Sequence, residues 1–377
     1  MKILIIGGDG YLGWPTAMHL SNKGHKVHLI DNFSKRNIEN ENGIKPLYQI
    51  ETMKNRIDAW QKLKKPKKKM SFSFGDLLNH RFIYNELKNL KPDHIIHYGE
   101  QPSAPYSMAG RHQAEFTQKN NIIGNLNLIF GIKKYCPNAH IIKLGTMGSY
   151  GTPNIDIEEG FIDIKYKGRK DVVQYPFKPH SFYHCSKAAD SINLYFACRT
   201  WGLKATDLNQ GVVYGIDTPE TILSKYLNTS FHYDHIFGTV INRFLVQAAI
   251  NKPLTIYGKG EQVRTFLNIN DTIQCIELAI KNPPKTGEYK VRNQFTETFS
   301  INQIAELVLK ALKDLGLKGK VKYLKNPRTE MANHYYKASN KSFMKLGLKR
   351  RKLSISFLKE NILQIINNKN LVDKKTI

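Results

Sequence analysis

Cysteine is scarce in this 377-residue chain: Cys136, Cys185, Cys198 and Cys275 are the only four, and no two stand at metal-ligand spacing. That excludes a zinc finger and a disulfide framework, and it suits a reducing cytoplasm. No apolar run approaches the ~20 residues that a membrane helix needs, so neither membrane insertion nor a metal centre is expected. Met1-Lys2 leads straight into an apolar strand, so no leader peptide is expected either. Acidic side chains are also in short supply, 31 against 57 lysines and arginines, giving a formal net charge of +26. Much of the excess sits in Lys62–Lys69 and Lys345–Lys352, and no aromatic residue interleaves with either run. A specific nucleic-acid partner is therefore not expected, and the positive field reads as a collector of anionic substrates. No internal repeat and no flexible linker divides the chain.

What the sequence does have is Gly7-Gly8-Asp9-Gly10-Tyr11-Leu12-Gly13, set between the apolar run Ile3–Ile6 and a helix-like segment from Gly13 to Asn22. Gly7, Gly10 and Gly13 permit a tight turn, a close backbone approach to a diphosphate, and close packing of helix on strand. The helix N-terminus then faces the phosphate charge. About twenty residues on, Val27-His28-Leu29-Ile30-Asp31 is a second apolar strand ending in a carboxylate, placed to accept the hydroxyls of an adenosine ribose. The order strand, glycine turn, helix, strand, acid predicts a dinucleotide site.

The first half alternates between strand-like and helix-like segments, as a parallel sheet covered on both faces requires. Strands are predicted at Lys2–Ile6, Lys26–Ile30, Ser71–Phe74, His94–Tyr98, His140–Leu144 and Lys204–Leu208. Helices are predicted over Phe82–Leu90, Asn120–Tyr135 and Tyr183–Trp201. The excursion from Asn32 to Ser71 exceeds a normal connection and is read as a helix over Tyr48–Leu63 with a solvated lysine loop. Beyond Leu208 the alternation fades into short segments such as Pro253–Tyr257 and Glu288–Arg292 and helices such as Ile301–Leu315. The expected class is α/β: a Rossmann-type doubly wound parallel sheet over residues 1–210. A smaller C-terminal α/β substrate domain over residues 211–377 sends segments back to the first.

Tyr183-His184-Cys185-Ser186-Lys187 places a phenol and an ammonium four residues apart, on one helix face. The ammonium is expected to lower the phenol's pKa and make phenolate available as a base. Thr146 follows the strand His140–Leu144 at its carboxyl end, where its hydroxyl reads either as a partner of the same substrate oxygen or as a turn residue.

Gly7/Gly10/Gly13, Asp31, Gly75-Asp76, Thr146 and Tyr183/Lys187 together resemble the extended short-chain dehydrogenase/reductases that modify nucleotide sugars, the NAD-dependent epimerase/dehydratases. Within that family, five longer strings resemble the branch that forms the sulfoquinovose nucleotide: Gly99-Glu100-Gln101, Ser103–Met108, Leu144–Gly148, Tyr150–Gly160 and Asp207–Gly215. Tyr257–Gly260 and His334-Tyr335-Tyr336 do so as well. The resemblance implies NAD bound by Gly7, Gly10, Tyr11, Leu12, Gly13, Asp31, Asn32, Ser34, Lys35, Arg36, Asp76, Leu77, Tyr98, Asn120, Tyr183 and Lys187. It implies a nucleotide sugar, UDP-glucose, bound by Gln101, Thr146, Tyr183, Gln210, Tyr257, Gln262, Arg264, Arg328 and Tyr335. Catalysis falls to Thr146, Tyr183 and Lys187, and a homodimer is common for the fold. The implied cycle is redox-neutral: oxidation at C4, loss of the C6 hydroxyl, addition of sulfite at C6, and reduction at C4.

The sugar 4,6-dehydratases of the family place an Asp-Glu pair directly after the threonine; Met147 and Gly148 stand there in this chain and cannot move protons. His184 and Glu100 are the remaining acid–base candidates. Pro102 occupies a position where the branch has arginine, and Glu261 one where it has glycine. Both leave open a sugar dehydratase or epimerase that does not use sulfite. Asp31 favours NAD over NADP, whereas Lys35 and Arg36 offer charge to a 2′-phosphate.

Overall fold

The computed structural model describes residues 1–326 and 335–377. In chain order the strands are β1 (Lys2–Ile6), β2 (Lys26–Asp31), β3 (Ser71–Phe74), β4 (His94–His97), β5 (His140–Thr146), β6 (Phe161–Tyr166) and β7 (Arg169–Gln174). They continue with β8 (Lys204–Gln210), β9 (Val212–Tyr214), β10 (Leu254–Tyr257), β11 (Val263–Asn268), β12 (Tyr289–Gln294), β13 (Glu297–Ser300) and β14 (Val321–Leu324). Seven form one sheet in the order β12-β8-β5-β4-β1-β2-β3 with every pairing parallel. The chain winds outward from β1 to β3, then returns to β4 on the other side of β1. That reversal opens a crevice at the carboxyl ends of β1 and β4.

The central strands are apolar because both faces are covered. Ile3, Ile5, Val27, Leu29, Ile96 and Ile142 meet Trp14, Met18, Trp60 and Ile276 on one face, while Leu4, Ile6, Ile95 and Ile141 meet Ile83, Leu128, Ile132 and Leu194 on the other. A third apolar cluster joins helices Val240–Ala249, Ile301–Asp314 and Ile355–Asn367.

Several expectations need correction. The helix read around Tyr48–Leu63 is present but starts later, running over Met53–Lys64; a further helix, Ser34–Glu41, precedes it, and residues 42–52 are not helical. Gly43 sits at a positive φ of 61°, Pro46 lacks a donor, and the Thr52 hydroxyl caps the second helix by accepting from Asn55 N. The helix expected from Asn120 starts at Arg111 and passes through a π-turn at Lys119–Ile123 before Gly124–Tyr135. Glu288–Arg292, read as part of the smaller C-terminal unit, becomes β12 and covers the open edge of β8, with Tyr289 opposite Ala205. The hairpin β6–β7 was not foreseen; Lys167 and Gly168, both at positive φ, make its two-residue turn.

Three buried imidazoles tie the sheet to pH. His94 Nδ1 lies 3.3 Å from His140 Nδ1, and His140 Nε2 is 2.8 Å from the Thr206 hydroxyl. Burial pushes His94 down to about 4, His140 to about 3 and His97 to about 4. The unfolded chain therefore binds more protons than the folded one below the ordinary imidazole value near 6.5, so stability falls as pH drops from there toward 4. His19, raised by Glu220 and Glu277, opposes this. Urea unfolding should give a midpoint that declines steadily between pH 7 and pH 5. The decline should flatten in the His94→Gln/His140→Gln double variant; an unchanged slope there contradicts the assignment.

Candidate active site

The glycine turn is fixed by crowding. Gly7 has a φ of +84°, and a Cβ on it would lie 2.6 Å from the Tyr98 carbonyl carbon. A Cβ on Gly13 would lie 2.0 Å from the Gly7 oxygen, so the helix that follows seats directly on the strand end. Gly10 meets nothing closer than 3.5 Å and faces a cavity of about 1670 Å³. The helix Gly13–Asn22 has no side-chain cap at its start. Its N-terminus thus lies beside the glycine turn, an arrangement that fits a diphosphate.

Asp31 ends β2 with its carboxylate accepting from Asp9 N (2.8 Å) and Phe33 N (2.7 Å). Burial, and then the charge of Asp9, push its pKa up to about 6. Arg36 donates to both oxygens of Asp9 at 2.7 and 2.8 Å, and the fully buried Arg56 adds a third contact at 2.7 Å while lying over the Trp14 ring. Lys35 lines the cavity, but its ammonium contacts Glu39, the Ser230 hydroxyl and His232. The two cations expected to compete for a 2′-phosphate are therefore engaged with protein carboxylates. Asn32 donates to Asp76 at 2.8 Å, which turns the Asp76 carboxylate toward β2. Tyr11, Leu12, Ser34, Leu77, Tyr98 and Asn120 line the cavity. The Tyr11 hydroxyl is tied to Gly215 O at 2.5 Å.

On the opposite wall, Ser181 caps the helix Phe182–Trp201, accepting from His184 N at 3.2 Å and meeting His184 Nδ1 at 2.9 Å. Tyr183 N donates to Ser107 Oγ. The Thr146 hydroxyl accepts from Gly148 N and, beside the Tyr183 hydroxyl, works to lower that phenol's pKa. Lys187 Nζ lies 5.8 Å from the Tyr183 ring centre. The ammonium does not lower the phenol as expected. Burial, and then the nearby Glu100 carboxylate, raise Tyr183 above its ordinary value, because Lys187 is occupied by Glu100 (2.8 Å) and the Leu144 carbonyl (2.5 Å). Gly148 gives the turn a second function. A Cβ there would lie 2.2 Å from His184 Nε2, so the position that carries glutamate in the dehydratases is here the seat of an imidazole.

The substrate-binding expectations divide. Gln210, Tyr257, Gln262 and Arg264 line the cavity. Gln262 is held by the Tyr257 carbonyl at 2.9 Å and Gln210 by Gln294 at 2.8 Å. Gln101 also lines it, but its amide is used internally, donating to Ser103 O and Thr117 Oγ1 and accepting from Ser103 N. Tyr335 is exposed and donates to the Asp156 carboxylate; its neighbour Tyr336 lines the cavity instead. Arg328 and His334 lie outside the described residues. The sequence reading missed Arg243, whose guanidinium stacks 4.9 Å from the Tyr257 ring centre on the cavity wall. It also missed His180, which a Cβ on Gly151 would meet at 2.9 Å. Neither carries a spacing signal. Among the described residues no group of three or more His, Cys, Asp or Glu side chains is arranged to hold a metal ion, and no helix is long and apolar enough to cross a membrane.

The model of the NAD dependent epimerase/dehydratase family matches residues 3–293. The chain is 49% identical over 376 residues to a chloroplastic UDP-sulfoquinovose synthase of Spinacia oleracea, covering 100% of this chain and 78% of that protein. It is 41% identical over 348 residues to a UDP-sulfoquinovose synthase of Sulfolobus acidocaldarius, covering 92% and 88%. Among solved structures it resembles a UDP-glucose 4-epimerase of Bifidobacterium longum in complex with NAD+ and UDP, with a TM-score of 0.72, 17% identity and coverage of 99% and 100%. A Bacillus cereus UDP-glucuronic acid 4-epimerase in complex with UDP-glucuronic acid and NAD gives a TM-score of 0.69 at 20% identity, with coverage of 97% and 100%.

The state of Asp31 sets a measurable preference. Ionised above pH 6, it repels a 2′-phosphate; neutral below, it does not. Calorimetric titration at pH 8 should show NAD+ binding at least ~10-fold more tightly than NADP+, about one pK unit of interaction. The gap should narrow at pH 5. A gap that is absent at pH 8 contradicts this role.

Proposed function

This chain belongs to the NAD dependent epimerase/dehydratase family, and we propose that it converts UDP-glucose and sulfite to UDP-sulfoquinovose. The observation that carries the reading is the turn after β5: no carboxylate follows Thr146, and the space at Gly148 is filled by His184. NAD, for which the uncapped helix start and the Gly10 cradle are suited, supplies the acceptor for hydrogen from C4 and later returns it. Tyr183, in its phenolate form, accepts the C4 hydroxyl proton and becomes the phenol that returns it at the closing reduction, while Thr146 holds the same oxygen by hydrogen bonding. Ketone formation acidifies C5–H, and His184 moves the proton between C5 and the departing C6 hydroxyl. Arg264 and Arg243 face the cavity where a nucleotide diphosphate needs cations. Sulfite then adds at C6 of the unsaturated ketone.

We further assign the cofactor to residues 1–210 together with β12, and most sugar-nucleotide contacts to residues 211–377. A homodimer accounts for the apolar side chains left exposed on the two adjacent helical segments 111–135 and 182–201, where Phe130 and Phe196 both pack against Trp201 and Ile123 and Ile192 extend the patch. Four free thiols, three of them buried, suit a reducing cytoplasm.

Product mass after incubation with UDP-glucose, with and without millimolar sulfite, tests the reading. A sulfonated nucleotide sugar is expected with sulfite. A wild-type enzyme that turns over UDP-glucose but yields only a keto sugar or an epimer identifies a dehydratase or epimerase, and Pro102→Arg is then the variant in which sulfonation should be sought. Gly148→Ala pushes the His184 ring from its seat. It should leave cofactor reduction measurable at 340 nm and cut elimination by at least ~100-fold, the scale of losing a positioned acid–base group. Retained elimination in that variant removes His184 from the scheme.

A further inference from the structure

Glu100 lines the cavity three residues beyond β4, yet its carboxylate is almost wholly buried. Oε2 lies 2.8 Å from Lys187 Nζ and Oε1 lies 3.4 Å from His97 Nε2. No further hydrogen-bond partner meets either oxygen. The ammonium is held from its other side by the Leu144 carbonyl at the end of β5. We infer that Glu100 is a positioning residue: its carboxylate pins Lys187 to the end of β5 and balances the charge that this ammonium would otherwise turn on the Tyr183 phenol.

The groups around the pair leave this role to Glu100. From β4, His97 is kept neutral by burial. From β5, Lys143 is engaged with Asp207 at 3.2 Å, Ser191 Oγ at 3.0 Å and the Lys187 carbonyl at 3.1 Å. Asp207 on β8 is shared with Ser191 and the Tyr289 hydroxyl. On the same helix as Lys187, Asp190 is raised well above its ordinary value by burial and then by Glu100, and it accepts from Asn125. Among the described residues, Glu100 is therefore the charged carboxylate that meets Lys187. Its own pKa stays low despite burial because Lys187 is beside it.

The inference rests on the reading of Tyr183 as the proton-transfer group and gives that group a particular character. A phenol with a strongly depressed pKa holds a proton poorly and returns it readily, but it takes one from a sugar hydroxyl only with difficulty. Phenolate is the form that takes the C4 proton and phenol the form that returns it, so the midpoint set by the Glu100–Lys187 pair decides in which pH range each form is present. A cycle that opens by oxidation and closes by reduction at the same carbon needs both directions.

The direct measurement is the ionisation of Tyr183 by NMR of the holoenzyme labelled at tyrosine Cζ, with Tyr183→Phe identifying the signal. In Glu100→Gln the Tyr183 midpoint should fall by at least about one pH unit, a tenfold change in ionised fraction. Glu100→Asp, which keeps the charge, should stay close to wild type. Lys187→Met should move the midpoint upward, and it decides the question if Glu100→Gln does not fold. The pH profile of cofactor reduction by UDP-glucose should shift acidward in Glu100→Gln alone. A Tyr183 midpoint unchanged in both Glu100→Gln and Lys187→Met overturns the inference. A wild-type enzyme that reduces no cofactor with UDP-glucose, together with a Tyr183 midpoint that does fall in Glu100→Gln, overturns the proposed reaction and leaves the role of Glu100 standing.

Discussion

There is no room for even one methyl group between Gly13 and the carbonyl of Gly7, and much of the architecture depends on that contact. It sets the first helix down on the end of β1 with its N-terminus at the crevice. It also lets β4 lie beside β1 so closely that the backbone at Tyr98 and Gly99 abuts Gly7. With β4 in place, Glu100 enters the cavity from one side while β5 delivers Thr146 from the next strand over. A larger residue at either glycine would separate the glycine turn from the wall that carries Thr146 and Tyr183, which are otherwise joined through a single run of parallel strands.

The second constraint is charge. A chain with a formal excess of 26 positive charges nevertheless pairs its buried cations one by one: Arg56 with Asp9, Lys143 with Asp207, Lys187 with Glu100. Buried ion pairs are poor sources of stability, because desolvation cancels much of the attraction. Their concentration around the nucleotide corner and the tyrosine wall is better explained by placement, since each pair fixes a group whose position decides where charge appears in the cavity. The surface excess can then act at long range on an anionic substrate without altering the local balance.

The parts legible in the sequence were those governed by short-range rules. Gly7, Gly10 and Gly13 announced the turn, Ile3–Ile6 and Val27–Ile30 their strands, and the Tyr183–Lys187 spacing the shared helix face. What stayed hidden depends on partners far away in sequence. That Lys187 serves Glu100 could not be read from a spacing of four, because the pair spans 87 positions and joins the helix Phe182–Trp201 to the loop after β4. Arg36 looked available until Asp9, 27 residues earlier, was seen to hold it. Tyr335 and Tyr336 are adjacent, and only the fold decides which of the two turns inward. The helix read over Tyr48–Leu63 begins late for a local reason, since the Thr52 hydroxyl caps its start at Met53.

The outermost strand of the large sheet, β12, is contributed by residues 289–294 and pairs with β8 at 204–210. Nearly eighty residues separate them, and these include β9 to β11 and the helices Val240–Ala249 and Ile269–Lys281. During synthesis on the ribosome, β8 therefore emerges long before its neighbour and presents a bare strand edge, a template for pairing with another chain. Several seconds pass at ordinary elongation rates before β12 arrives to cover it. Completion of the large sheet is thus obliged to wait for the segment between β8 and β12, and the sheet's edge is closed only once that segment has been made.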